Sequence, residues 1–118
     1  MKILKTLSRV YVEELDDHLD FYENLLDAKV EMRFPLPGVG LELAQIDDIL
    51  IIAGSSESLK PFKRTQATFL VDSLEEYEKF LKSNGSKIIQ GPQKVPTGFN
   101  MTVQHQDGSI FEYVQHIH

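Results

Sequence analysis

The chain carries its own plan twice. Val12, Leu15 and Phe21 recur 59 residues later as Val71, Leu74 and Phe80. Around these anchors, the acidic amphipathic segment from Val12 to Tyr22 matches the segment from Val71 to Leu81. Each copy follows a β-rich run, Ile3 to Tyr11 and Gln66 to Leu70. Each then leaves through small or polar residues, Asp27-Ala28 and Asn84-Gly85-Ser86, into more strand-like sequence. A repeat of this size marks a supersecondary unit that cannot bury its apolar face without a partner. The function of such a chain is expected where two copies meet.

The first copy reads as follows. Ile3 to Val12 is apolar and β-branched enough for a strand. Glu13 to Asp27 predicts an amphipathic helix with Leu15, Leu19, Tyr22 and Leu26 on one stripe, and acidic residues in its first turns where the helix dipole favours them. Lys29 to Phe34 alternates like a half-buried strand, and Pro35-Leu36-Pro37-Gly38 predicts a turn. Val39 to Ile46 and Ile49 to Ala53 read as a hairpin joined at Asp47-Asp48. The Ser-, Lys- and Pro-containing stretch 55–63 reads as a linker, so repeat one covers about 1–54 and repeat two about 64–118 of a single domain.

In the second copy, Thr65 to Val71 is a strand and Ser73 to Ser83 a helix, with Ser73 and Glu76 spaced as a capping box. Lys87 to Gln90 is a strand, and Gly91 to Gly98 a loop placed to cover a pocket. Phe99 to Gln104 and Ile110 to His116 are strands joined by the turn at Gln106-Asp107-Gly108-Ser109. The order is βαβββ twice. That is too many strands per helix for a doubly wound sheet, so the fold class is α+β with curved mixed sheets.

Composition removes several functions. Eighteen carboxylates against twelve Lys and Arg give a net charge of −6, which lacks the basic footprint of a nucleic-acid binder and suits neutral or cationic small molecules. With no cysteine there is no thiolate metal site and no Cys nucleophile. No apolar run reaches membrane-spanning length, and the N-terminus does not read as a signal peptide, so a cytoplasmic location is expected. No Ser-His-Asp order, phosphate loop, dinucleotide fingerprint or HExxH motif occurs.

Four features together resemble the vicinal oxygen chelate superfamily, which includes glyoxalase I, bleomycin-resistance proteins and extradiol dioxygenases. They are the βαβββ duplication, the helix end Leu19-Asp20-Phe21-Tyr22-Glu23-Asn24-Leu25-Leu26, the run Leu70-Val71-Asp72-Ser73-Leu74, and the closing Gln106-Asp107-Gly108-Ser109-Ile110-Phe111-Glu112. The resemblance implies helices on the convex face, two copies enclosing a concave site, and a homodimer. In the metal enzymes of that superfamily one ligand comes from the first strand and one from the last strand of each copy. Those positions fall here at Leu7, Ile51, Gln66 and Glu112. Two are hydrocarbon, and neutral Gln is a poor donor for a zinc site that wants three or four ligands. No cofactor is therefore expected, with a weakly held divalent ion as the alternative.

The expected function is binding or sequestration of a small organic molecule in an apolar cup, without metal, in the manner of bleomycin-resistance proteins. The ligand-binding candidates are Arg9, Gln66, Thr68, Glu112, Leu7 and Ile51. Glu112 is the candidate acid or base, since Phe111 and Tyr113 should face the helix and turn the carboxylate the other way. The plain structural alternative pairs Glu112 with Arg9. A second reading is a lyase, isomerase or dioxygenase-type enzyme using Glu112 with a substrate-recruited metal, and a third is a non-catalytic interaction module. His18 and His105 read as structural, and His116 and His118 as a fraying tail.

Overall fold

A computed structural model describes residues 1–117; His118 lies outside the described residues. The elements are β1 (Ile3–Val12), α1 (Asp16–Leu26), β2 (Met32–Leu36), β3 (Leu41–Ile46), β4 (Ile49–Ala53), α2 (Ser56–Leu59), β5 (Thr65–Val71), α3 (Leu74–Ser83), β6 (Lys87–Val95), β7 (Gly98–Gln104) and β8 (Ile110–His116). Helix and strand thus combine as α+β, with each copy following the βαβββ order. The chain forms two compact units. One is Leu7–Arg64; the other holds Met1–Thr6 and the chain from Thr65 onward. No helix among the described residues is long and apolar enough to cross a membrane.

In the unit Leu7–Arg64, β1 pairs with β4 in parallel, and β4–β3 and β3–β2 pair antiparallel. Alternation then sorts the side chains. Val10, Val12, Ala44, Ile46, Ile49, Ile51 and Ala53 turn to one face and form a core with Leu15, Leu19, Tyr22 and Leu26 of the α1 region. Residues between them, including Leu7, Arg9, Tyr11, Leu50 and Ile52, belong to the other face. The helix starts at Asp16 rather than Glu13, with Leu15 at its N-cap supplying no side-chain hydrogen bond, and it ends at Asp27 in a left-handed conformation (φ 50°). Strand β2 is displaced from 29–34 to Met32–Leu36 and runs through Pro35. It has a neighbour on one side only, where a missing N–H is tolerated.

The stretch expected to be a linker is folded. Ser55 Oγ accepts from the Ser58 backbone N–H at 3.1 Å and starts α2, and Leu59 is buried to 3% exposure. The phenol of Tyr11 donates to the Phe62 carbonyl at 2.7 Å, tying the end of this segment to β1.

The other unit repeats the arrangement. β5 pairs in parallel with β8, and β8–β7 and β7–β6 pair antiparallel. Val71, Met101, Val103, Tyr113, Phe69 and Phe111 make a core with Leu74, Tyr77 and Leu81 of α3, positions spaced to fall on one helical stripe. The Ser73 hydroxyl caps α3 by accepting from the Glu76 N–H at 3.2 Å. Glu76 does not return the bond of a capping box; its carboxylate ion-pairs with the N-terminal ammonium at 3.0 Å. The expected loop 91–98 is mostly strand. β6 continues to Val95, accommodating Pro92 through register shifts between Ile88 and Gln93.

Candidate functional site

The most organised polar group lies on the face of the β5–β8–β7 sheet opposite α3. Phe111 and Tyr113 pack into the α3 core, so strand alternation turns Glu112 to the other side. Thr68 is level with Glu112 across the parallel pair, and its hydroxyl donates to Glu112 Oε1 at 2.8 Å. Asn100, on β7, donates from Nδ2 to Oε2 at 2.8 Å. Both carboxylate oxygens are therefore held by neutral donors, which suits an ionised acceptor. Thr68 is 1% exposed and Glu112 half-buried. Among the described residues Asn100 Oδ1 is buried without a hydrogen-bond partner. A buried acceptor without a donor is costly unless something supplies one.

Asn100 was not among the residues singled out in the sequence. Its signal was there: β7 alternates Phe99, Met101, Val103 with Asn100, Thr102, Gln104, so every second position is polar. Met101 and Val103 go to the α3 core, and the polar set falls on the face of Glu112.

Gln66 stands differently from its neighbours. The β5–β8 register shifts by one residue between Thr65 and Thr68, so Thr65 comes level with Ile110 and Gln66 is exposed. Such a bulge re-aims side chains that simple alternation would align.

In the unit Leu7–Arg64, Leu7 is 1% exposed. Ile51 corrects the sequence reading. It is fully buried in the core beneath α1, so it lies on the wrong face to match Glu112. The β4 residues on the other face are Leu50 and Ile52, level with Arg9 and Tyr11. Arg9 is half-buried; its Nη1 reaches the Phe62 carbonyl at 3.5 Å and its guanidinium lies 5.6 Å from the Tyr11 ring centroid.

The fit to a divalent ion is poor. The two first-copy positions offer hydrocarbon whichever residue of β4 is chosen, Gln66 is exposed at the bulge, and both Glu112 oxygens already accept hydrogen bonds. Among the described residues no three His, Cys, Asp or Glu side chains form a metal-holding group.

His105 is structural in its contacts. Its ring stacks on Phe111 with centroids 4.7 Å apart, and Nε2 meets the Tyr113 hydroxyl at 2.7 Å. Burial, with a smaller effect of Tyr77, pushes the Tyr113 phenol up to about 12. An open depression of about 410 Å³ is lined by His105, Gln106 and Asp107. A narrower groove of about 250 Å³ lies beside α3, lined by Leu74, Glu75, Glu78, Pro92, Phe99 and Gln115.

With this geometry established, the chain belongs to the Glyoxalase/Bleomycin resistance protein/Dioxygenase superfamily, which it matches over residues 3–113. It is 61% identical to an uncharacterized protein from Methanosarcina mazei of known crystal structure, covering 99% of this chain and 95% of that one with a TM-score of 0.92. The fold is shared with methylmalonyl-CoA epimerase from Mycobacterium tuberculosis at 16% identity, 98% and 90% coverage and a TM-score of 0.77. It is shared also with a variant of the Streptomyces coelicolor methylmalonyl-CoA epimerase in complex with 2-nitronate-propionyl-CoA, at 12% identity, 99% and 100% coverage and a TM-score of 0.77. No curated protein matches the chain.

Proposed function

We propose that this protein is a cytoplasmic homodimer that binds or sequesters a small organic molecule without a metal ion. The observation that carries the reading is the Glu112 carboxylate, fixed by Thr68 and Asn100 beside a buried acceptor, Asn100 Oδ1, that lacks a donor. Two acceptors fixed side by side suit a ligand N–H or O–H group, and a small number of convergent polar groups is what small-molecule sites use for orientation. Thr68 positions the carboxylate; Glu112 and Asn100 make the contact. Gln66 is free to reach a ligand from its exposed position. The acidic balance of the chain favours neutral or cationic ligands.

Native mass spectrometry of the protein purified in the presence of EDTA tests this directly. The expected result is a retained organic adduct that survives the chelator and is lost in Glu112→Gln, where an acceptor oxygen becomes a donor. An adduct held equally by Glu112→Gln removes Glu112 from the site.

A second reading is an enzyme in which Glu112 removes a proton next to a carbonyl. The fixed carboxylate favours it, since a general base must be held within hydrogen-bond reach of the proton. The fold shared with methylmalonyl-CoA epimerases makes methylmalonyl-CoA the first compound to try. Exchange of its α-proton in deuterated water, with and without added Zn, Ni or Mn, separates the two readings. Exchange abolished by Glu112→Gln would replace sequestration with catalysis.

A further inference from the structure

Among the described residues Arg9 is a cation without a counter-ion. Its residue neighbours on that face, Leu7, Leu50 and Ile52, are buried hydrocarbon, and Tyr11 is already bound to the Phe62 carbonyl. Among the described residues the guanidinium has the Tyr11 ring centroid at 5.6 Å, a contact of 3.5 Å from Nη1 to the same carbonyl and no paired carboxylate, while its Nε is buried without a hydrogen-bond partner. At 3.5 Å that contact is beyond the range of a strong N–H···O bond. An unpaired, partly buried charge is expensive, and a chain that needed only packing here would be served better by a hydrocarbon of similar length. Unmet donors in the fixed fork of an arginine match a planar oxyanion taken in bidentate fashion.

We propose that Arg9 is the anchor for the carboxylate of an organic acid whose remainder is apolar. The hydrocarbon neighbours select the ligand class. A multiply charged phosphate would have to shed more water to sit among Leu7, Leu50 and Ile52 than a single carboxylate on an alkyl chain. The negative balance of the whole chain opposes any anion, and a doubly charged phosphate more than a singly charged carboxylate. Every residue used lies in the unit Leu7–Arg64, so the inference goes beyond the Glu112 reading and survives its loss.

The test is thermal unfolding of the full chain at low salt, titrated with hexanoate, hexanol and inorganic phosphate. Hexanoate is expected to raise the melting temperature saturably, and hexanol and phosphate are expected to leave it unchanged. Arg9→Met should abolish the hexanoate response while melting no lower than the wild type without additive, because it removes an unpaired charge. Arg9→Lys, which keeps the charge and loses the fork, should weaken hexanoate about tenfold, the scale of one charge-assisted hydrogen bond. A wild type indifferent to hexanoate, or Arg9 variants that respond as it does, overturns the proposal. So does an Arg9→Met protein that melts well below wild type, which would make Arg9 a strut for Phe62. Stabilisation by phosphate alone overturns the choice of carboxylate.

Discussion

Thr68 and Glu112 face each other across a parallel strand pair, the hydroxyl of one donating to the carboxylate of the other at 2.8 Å. Since Thr68 is 1% exposed, its replacement is a clean probe of how firmly the carboxylate is held. Thr68→Val keeps the shape and removes the donor. It should cost about 1–2 kcal/mol in urea unfolding, the range for leaving a partly buried polar group short of a partner. No loss of stability would mean that Asn100 alone holds Glu112.

Tyr113 makes alkaline stability a second probe. Burial favours the neutral phenol in the folded state and raises its pKa from the ordinary 10 to about 12. The contribution is fully present below pH 10 and is lost as the pH rises from 10 towards 12. Over that interval the unfolding free energy should fall by about 1.4 kcal/mol per pH unit from this group. Tyr113→Phe should remove that slope from denaturation curves. An unchanged slope would assign alkaline unfolding elsewhere.

Leu59 tests whether 55–63 is part of the fold. As a linker residue it would be replaceable at no cost. At 3% exposure, Leu59→Ala should instead cost about 2–4 kcal/mol, within the range for large-to-small core changes. A melting temperature equal to wild type would return the segment to the status of a tether.

Gly98 opens β7 against the backbone of β8. A side chain there would be driven into the Gln115 carbonyl, and its φ of +153° is one that L-residues rarely adopt. Gly98→Ala should therefore destabilise by about 2 kcal/mol or more through backbone displacement. Retention of wild-type stability would show that β7 and β8 can part at this end.

Much of the fold was legible because its strands are strongly patterned. The ends of β1, β4, β5 and β8 follow from alternation and turn residues, and the α3 cap from Ser73. The misplacement of Ile51 and Gln66 shares one physical cause. Transferring Glu112 to Ile51 by a fixed offset assumes connections of equal length in both copies. A slip of one residue in a strand reverses the face, and Ile51 went to the core. The bulge before Thr68 moved Gln66 in the same way, and no residue type announces a bulge in a parallel pair. Pro92 and Pro35 suggested chain reversal, whereas both sit in strands with a free edge. Asn100 carries no ionisable group to mark it, and only its alternation with Met101 signals its face.

Those two prolines have a further consequence. β2 and β6 are the outermost strands, the places where a foreign chain could extend the ladder. Pro35 removes a donor from one rim, and Pro92 with its irregular register does so at the other. Strand addition is thereby disfavoured at both of these strands. A second copy adding to either strand would meet the same gap in the row of donors.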